Sequence, residues 1–172
     1  MGFEFEILYM IQKMHHPILD SIMIAVTKFG NGGRGWIAVA ILLLLFKRTR
    51  KSGLCMLLSM GLCALIGEVW LKNMIERLRP CQVDAGVRML ISTPGGYSFP
   101  SGHTTNSFAA ATSIFLNHKK AGIAALALAT MIGFIRLYLF VHFPTDVLCG
   151  LILGVTVAIF IKDMLYNRKK LC

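Results

Sequence analysis

Apolar residues fill six stretches of the chain, and short polar or glycine-rich segments separate these stretches. A membrane-spanning helix needs about 20 apolar residues, and several of the stretches approach that length. The pattern therefore predicts an all-α, polytopic membrane protein, in which a bundle of six transmembrane helices forms the core over residues 17–165. The first stretch fits the pattern least well, because it is short and contains Asp20 and Lys28. The predicted helices cover approximately residues 17–29, 34–46, 53–75, 102–117, 121–141 and 144–165.

The first 16 residues have a different pattern. They contain Glu4, Glu6 and Lys13 and lack the basic start and apolar core of a cleavable signal peptide, so none is expected. The stretch FEFEILYMIQKM mixes apolar and charged residues and predicts a short amphipathic helix in the membrane interface. We expect residues 1–16 to precede the six-helix core as this interfacial helix, and residues 1–172 to form a single domain.

Composition supports a membrane location. Of the 172 residues, 56% are hydrophobic and 15% are charged, whereas soluble domains carry about 25% charged residues. The net charge of +10 lies largely in short clusters between apolar stretches, which favours topology signals and phosphate contacts over nucleic-acid binding. The five cysteines show no metal-binding or redox spacing and are typical of small apolar packing residues.

The basic clusters predict which side of the membrane each loop faces. KRTRK (47–51), HKK (118–120) and NRKK (167–170) follow the second, fourth and sixth predicted helices. With six spans these clusters share one side, which the positive-inside rule makes cytoplasmic. Both termini are then expected to be cytoplasmic, and the one long connection, residues 76–101, is expected to face outward.

A set of polar residues is not explained by topology. Ionisable groups at membrane depth cost about 2.5–3.5 kcal/mol each, so they usually face a cavity or one another. One such residue alone is often a snorkelling charge or a structural pair, but here three segments converge on the outer end of the predicted bundle. The set comprises Glu68, Lys72, Arg77, Arg79, Ser101, His103, Arg136, His142 and Asp146, all of them except Glu68 near outer helix ends.

The first segment, KNMIERLRP, carries two cations seven residues apart. Lys72 and Arg79 are separated by two helical turns, so they share a face if the helix continues to Pro80. Two cations on one face repel each other unless an anion lies between them. A basic rim at the membrane interface is the alternative interpretation.

The second segment, FPSGHTT, opens the fourth predicted helix. Ser101 fits the N-cap position, Gly102 allows a ligand to approach the backbone, and the free N–H groups of a first helical turn bind anions. His103 adds a proton donor at the same place. An ordinary capped helix start is the alternative.

The third segment, RLYLFVHFPTD, places Arg136 near the end of the fifth predicted helix. His142 and Asp146 are four residues apart and flank the start of the sixth, where Pro144 suits the first turn. A carboxylate at this spacing can hold one imidazole nitrogen and leave the other free, as in activated nucleophiles. An aspartate that caps the sixth helix beside an interfacial histidine is the alternative.

Together the three segments supply cations, a helix N-terminus and two histidines, one of them beside a carboxylate. Phosphoryl transfer needs such a set, because its catalysis depends on positioning and on stabilising charge on the phosphate oxygens. The planar guanidinium of arginine suits those oxygens. Few carboxylates lie nearby and several cations would repel a divalent ion, so we expect a reaction without a metal or another cofactor.

In order and spacing, the motifs resemble the three signatures of the type 2 phosphatidic acid phosphatase superfamily. They are K-x(6)-R-P from Lys72 to Pro80, P-S-G-H from Pro100 to His103, and R-x(5)-H-x(3)-D through Arg136, His142 and Asp146. The resemblance covers roughly residues 17–165 and implies a six-helix membrane phosphatase.

The resemblance also implies a phosphohistidine mechanism. His142 would attack phosphorus, Asp146 would orient it and His103 would protonate the leaving oxygen, after which water would hydrolyse the phosphoenzyme. The residues alone agree on the nucleophile, since of these two histidines only His142 has a carboxylate four residues away. The third motif often begins with serine, and Ile135 takes that place here. The phosphate would be held by Lys72, Arg79, Ser101, Gly102 and Arg136.

Small bacterial members that the chain resembles act on isoprenyl diphosphates, phosphatidylglycerol phosphate or phosphatidate. We expect undecaprenyl diphosphate to be hydrolysed at the outer face of the bacterial cytoplasmic membrane, so the partners are a phosphorylated lipid and the bilayer; a homodimer is left open. The alternatives are a lipid phosphotransferase of the same superfamily and a lipid or anion transporter. Accessory candidates are Arg77 for a second phosphate, Tyr97 in a loop that closes over the site, and Glu68 as a partner of Lys72.

Overall fold

The structure is a computed structural model that describes residues 2–166. This part of the chain forms helices joined by turns and loops and contains no β-strand, which confirms the predicted all-α class. A 3-10 turn over Asn31–Gly33 and a π-helix over Ala64–Leu71 connect some of these helices. The α-helices are α1 (Phe3–Gln12), α2 (Pro17–Gly30), α3 (Arg34–Leu45), α4 (Arg50–Cys63), α5 (Lys72–Ile75), α6 (Pro80–Val83), α7 (Gly102–Phe115), α8 (Lys119–Tyr138) and α9 (Pro144–Tyr166).

Helix α7 lies at the centre of the fold and packs against α4, α8 and α9. Ten of its 14 residues are buried, and most of these are small. Small residues let helix backbones approach closely within a membrane. At Gly154 of α9, a Cβ atom would come within 2.4 Å of the Thr105 carbonyl oxygen in α7. Cys55 and Cys63 are buried in the same core, as expected for packing residues.

Five helical segments run along the length of the bundle: α3, α4 with its continuation to Ile75, α7, α8 and α9. We call the end where α7 and α9 begin the upper end; there the Ser101 amide donates to the Asp146 carbonyl at 3.1 Å. At the lower end, Lys162 Nζ donates to the Leu116 carbonyl at 2.8 Å and the Tyr166 hydroxyl donates to the Lys51 carbonyl at 3.3 Å.

Three helical stretches of the described chain are long and apolar enough to cross a membrane. Their most apolar windows have mean hydropathies of 2.0 for Arg50–Val83, 1.7 for Lys119–Tyr138 and 2.1 for Pro144–Tyr166. At a rise of about 1.5 Å per residue, the 20 residues of α8 extend about 30 Å, the thickness of the hydrocarbon core. Helices α3 and α7 are shorter and lie beside these three.

Helix α2 does not run along the bundle, although residues 17–29 are predicted to span the membrane. The Tyr138 hydroxyl donates to Asp20 at 2.5 Å, and Arg136 donates to the Thr27 hydroxyl at 2.9 Å. Both contacts are with the last turn of α8, so α2 crosses the upper end of the bundle. Its 14 residues extend about 21 Å. The described chain therefore has five lengthwise helices where six are predicted.

Helix α1 also lies at the upper end. The Glu4 carboxylate accepts from Thr145 at the start of α9, and Gln12 donates to the Tyr138 carbonyl at 2.9 Å. The sequence predicts that α1 and the end of the last helix lie on one side of the membrane. In the structure α1 and Tyr166 lie at opposite ends of the bundle. The predicted signal NRKK (167–170) lies outside the described residues.

Candidate active site

A cavity of about 340 Å³ lies at the upper end of the bundle. The three segments that carry the predicted site residues meet at its wall. Asp146 and Ser101 are fully buried and lie outside the cavity lining. The other predicted catalytic and phosphate-binding residues line the cavity: Lys72, Arg79, Gly102, His103, Arg136 and His142.

His142, in the connection between α8 and α9, is only 2% exposed. Its Nε2 lies 3.1 Å from Arg79 Nη1. A guanidinium can only donate hydrogen bonds, so Nε2 accepts and the ring proton lies on Nδ1. That nitrogen is 3.4 Å from Ser98 Oγ and 3.6 Å from Asp146 Oδ2. Burial lowers the pKa of His142 to about 4, against the opposing effect of Asp146. The imidazole is therefore neutral near pH 7 and carries its lone pair on the cavity side.

The carboxylate of Asp146 is fixed by three donors. Oδ2 accepts from the Ser98 hydroxyl at 2.5 Å and from the Phe143 amide at 2.8 Å. Oδ1 accepts from Arg77 Nη1 at 2.7 Å. A buried carboxylate needs such partners, because an unpaired buried charge is very costly. The contacts hold Asp146 beside Nδ1 of His142. Arg77 is a predicted candidate for binding a second phosphate, but in the structure its guanidinium is hydrogen-bonded to Asp146 instead.

Arg79 is buried and is held in place by backbone carbonyls. It donates to the carbonyls of Gly95, Gly96 and Val141 at 3.2, 3.2 and 3.0 Å. The first two belong to the long connection 76–101, so this loop positions a cation in the cavity. The guanidinium therefore keeps its place beside His142 Nε2 without an ion-pair partner of its own among the described residues.

Arg136 is 3% exposed and supplies a second guanidinium to the cavity. Its Nη1 donates to the Thr27 hydroxyl at 2.9 Å. Its Nε is buried and has no hydrogen-bond partner among the described residues. An unsatisfied buried donor costs about 1–3 kcal/mol, and an anion in the cavity would remove that cost.

Lys72 and Glu68 form an ion pair at the cavity wall, with Nζ and Oε2 2.6 Å apart. The π-helix Ala64–Leu71 carries Glu68 and ends just before Lys72. A Cβ atom at Gly102 would lie 2.0 Å from Glu68 Oε1, so any larger residue there would displace the Glu68 carboxylate. Glu68 is thus the partner of Lys72, as predicted, and the ion pair fixes the ammonium of Lys72 above the start of α7.

His103 Nε2 donates to the Asn31 side-chain oxygen at 2.9 Å. Asn31 belongs to the turn between α2 and α3, where Gly32 and Gly33 have φ angles of 58° and 69°. These positive values favour glycine, and both glycines line the cavity. The turn thus holds His103, the predicted general acid, on the wall of the cavity that it shares with His142.

Three residues that the sequence singles out do not line the cavity: Ser101, Tyr97 and Ile135. Ser101 Oγ is bonded to Thr104 Oγ1 at 2.9 Å and is fully buried, so its side chain faces the helix packing. The pKa of Tyr97 is raised by a hydrogen bond with Glu76, and Tyr97 does not line the cavity. Ile135 is buried in the apolar cluster that contains Leu8. Ile135, which takes the place of the serine that often begins the third motif, thus lies on a face of α8 that packs against α1.

Several contributing residues are absent from the sequence prediction. Ser98 and His142 are 44 positions apart, and Asn31 and His103 are 72 apart, so no short spacing connects them. The one signal in the sequence is the stretch FGNGGRG, which contains Asn31 but predicts only a tight turn. Within residues 2–166, no three histidine, cysteine or carboxylate side chains lie close enough to hold a metal ion. The missed residues are Glu4, Thr27, Asn31 and Ser98.

A helical membrane bundle with a cationic cavity and two histidines, one backed by a buried aspartate, defines an integral-membrane lipid phosphatase. Residues 52–170 match the model of the PAP2 superfamily, and the chain belongs to this superfamily. It is therefore a membrane hydrolase that acts on phosphate esters, as the motif resemblance implies.

Several known proteins with similar chains are named as phosphatases. An undecaprenyl-diphosphatase of Sulfolobus acidocaldarius is 34% identical over 89% of this chain and 74% of its own length. A phosphatidylglycerophosphatase B of Bacillus subtilis is 33% identical over 87% of this chain and 76% of its own. The crystal structure of Aquifex aeolicus LpxE superposes with a TM-score of 0.81 and 27% identity, covering 94% of this chain and 95% of that one.

Proposed function

We propose that the protein hydrolyses a lipid diphosphate through a phosphohistidine intermediate. The observation that carries this proposal is the orientation of His142, whose Nδ1 faces Asp146 while Nε2 faces Arg79 and the cavity. Nε2 attacks phosphorus and forms an N–P bond as the bond to the leaving oxygen breaks. His103, in its protonated form, gives one ring proton to that oxygen. Water then attacks phosphorus and gives its proton to the neutral His103 as the N–P bond breaks, which releases inorganic phosphate and restores both histidines.

The charges of the cavity suit a phosphate in this reaction. Arg79, Arg136 and Lys72 surround the space in front of Nε2. Fixed cations stabilise the charge on the equatorial oxygens of the transferring phosphoryl group. The Nε of Arg136, which lacks a partner among the described residues, is a donor for one of these oxygens. Arg79 would exchange its contact with Nε2 for a phosphate oxygen when substrate binds.

A second cavity supports a diphosphate as the substrate. It has a volume of about 300 Å³ and adjoins the first at Pro94, His103 and Arg136. The leaving group must lie beside His103, the general acid, so this second cavity is where it would extend. Its lining includes Lys28 and the apolar Ile24 and Ile91, which suit a leaving group with its own phosphate and an isoprenyl chain.

The similarity to an undecaprenyl-diphosphatase supports undecaprenyl diphosphate as the particular lipid. Phosphatidylglycerol phosphate or phosphatidate is the second candidate, favoured by the similarity to the B. subtilis phosphatidylglycerophosphatase. The basic residues 47–51 and 118–120 lie at the lower end, away from the cavity. By the positive-inside rule this supports a site that faces the outer side of the cytoplasmic membrane.

The test is phosphate release from two lipids with the same isoprenyl tail, a diphosphate and a monophosphate, by detergent-solubilised protein. We expect the diphosphate to be preferred and His142→Ala to abolish turnover. His118→Ala, at the lower end of the bundle, is the matched control and should retain full activity. Full turnover by His142→Ala would overturn the mechanism, and strict dependence on an added acceptor would identify a phosphotransferase instead.

A further inference from the structure

We propose that Glu4, on the N-terminal helix α1, is a positioning residue for the nucleophile and acts through Arg77 and Asp146. This inference rests on the proposed function, because it assigns His142 the role of nucleophile. Glu4 lies 142 positions before Asp146 in the chain and belongs to none of the three motifs. Its contribution is visible only in the folded arrangement.

A continuous series of charged contacts leads from α1 to the nucleophile. Glu4 Oε2 accepts from Arg77 Nη2 at 2.6 Å, and Arg77 Nη1 donates to Asp146 Oδ1 at 2.7 Å. Asp146 Oδ2 then faces His142 Nδ1 at 3.6 Å. The two nitrogens of one guanidinium therefore bridge two carboxylates. Charge-assisted contacts of this kind are strong and directional, so the orientation of Arg77 depends on both anions.

Glu4 also holds the beginning of α9, the helix that carries Asp146. Its Oε1 accepts from the Thr145 amide at 3.1 Å and from the Thr145 hydroxyl at 2.7 Å. The first amides of a helix have no partner within the helix, and a carboxylate there is also favoured by the helix dipole. Glu4, which belongs to another helix, thus caps the N-terminus of α9. Thr145, the residue that it caps, directly precedes Asp146, the aspartate that it positions.

The contacts of Glu4 favour its ionised form. Burial raises the pKa of its carboxyl, but hydrogen bonds from Thr145 and Arg77 outweigh burial, and the net pKa is lowered. The negative charge keeps the guanidinium of Arg77 outside the cavity. Without that charge, Arg77 would keep its contacts with Asp146, the Thr145 hydroxyl and the Phe143 ring. It would lose one of the two anions that orient it, so the donor that it offers to Asp146 would be held less firmly.

Other contacts fix α1 without Glu4. The ring of Phe5 packs edge-on against Phe143 with centroids 5.3 Å apart, Leu8 is fully buried, and Gln12 donates to the Tyr138 carbonyl. A substitution at Glu4 should therefore leave the helix in place. A loss of activity in such a variant would therefore reflect a positioning role of Glu4 and not a general loss of fold.

The experiment compares Glu4→Gln with Glu6→Gln, since Glu6 is exposed on the same helix. We expect Glu4→Gln to lower kcat at least tenfold, to change KM less than threefold and to leave the thermal unfolding midpoint within a few degrees. Glu6→Gln should match the unsubstituted protein. In the double variant Glu4→Gln/Arg77→Gln, kcat should equal that of Arg77→Gln alone, because both changes break one series of contacts. If Glu4→Gln fails to fold, Glu4→Asp provides the same comparison.

Unchanged kcat in Glu4→Gln would overturn the inference, as would a rise in KM alone, which would indicate a substrate contact. Additive losses in the double variant would also contradict it. The proposed function has a separate criterion: if His142→Ala is inactive while Glu4→Gln is fully active, only the inference about Glu4 fails.

Discussion

The two nitrogens of His142 are distinguished by their neighbours. Nδ1 faces Asp146, and Nε2 faces a guanidinium that can only donate. The spacing of His142 and Asp146 is readable from sequence, because four residues separate them. The hydrogen bonds from Ser98 and Arg77 that hold Asp146 cannot be read from the sequence, because hydrogen bonds over tens of residues leave no periodic pattern. The motifs therefore predict the reacting groups but not what holds them.

The pH dependence of hydrolysis follows from the protonation of His142. Its pKa is lowered to about 4 by burial, so the imidazole is neutral and nucleophilic above that value and protonated below it. We expect kcat/KM to rise with pH through about 4 to 5, so that this acidic limb is complete below pH 6.5, the ordinary histidine value, and to fall again at higher pH as His103, the general acid, loses its proton. Rates measured in detergent across pH 3.5–9 with diphosphate substrate check this. A rise centred on pH 6.5 or above would contradict it.

Helix packing shows what the apolar pattern can and cannot determine. The bounds of α7 and α9 are predicted to within two residues, since strong apolar stretches end at polar loops. The path of α2 is not predicted, because a short apolar helix has the same pattern whether it crosses a bilayer or lies across a bundle. Contacts of Asp20 and Thr27 with α8 decide that path, and they exist only in the fold.

Close contact between α7 and α9 makes Gly154 intolerant of any side chain. A Cβ there would lie 2.4 Å from the Thr105 carbonyl and 2.8 Å from the Ala109 amide nitrogen. We expect Gly154→Ala to destabilise the protein by about 1–3 kcal/mol, the usual cost of overpacking, and to lower activity, because α7 carries His103 and α9 carries Asp146. Thermal unfolding in detergent, followed by tryptophan fluorescence, measures this change.

Gly61→Ala is the matched control, since a Cβ at Gly61 meets nothing within 4 Å. Alanine is favoured over glycine in a helix by about 1 kcal/mol, so this variant should be as stable as the unsubstituted protein or more so. Equal unfolding midpoints for the two variants would show that the α7–α9 contact is looser than described.

For the whole molecule, five lengthwise helices place α1 and the end of α9 at opposite ends. Composition and apolar pattern predict the membrane class and most helices correctly. The predicted side of the N-terminal segment depends on a crossing by residues 17–29, and it changes if α2 lies across the upper end of the bundle. The motifs still meet at one end, because their helices alternate in direction irrespective of α2.

Cysteine labelling can test this arrangement in sealed membrane vesicles. In a variant whose five native cysteines are replaced by alanine, Met14→Cys marks the connection between α1 and α2, and Arg48→Cys marks the connection between α3 and α4. Both positions are exposed. We expect a membrane-impermeant maleimide to label them from opposite sides. Labelling of both from the same side would support six crossings and contradict the arrangement of α2.

The π-helix Ala64–Leu71 has a consequence for how this chain can change in length. A π-helical turn accommodates about one residue more than an α-helical turn, and each residue of an α-helix turns by about 100°. Loss of one residue here would let the segment regain regular α-helical winding, but Lys72 and the chain leading to Arg79 would rotate away from the cavity. Insertions and deletions in this segment are therefore constrained by the chemistry of the cavity, although half of its residues face neither the cavity nor the core.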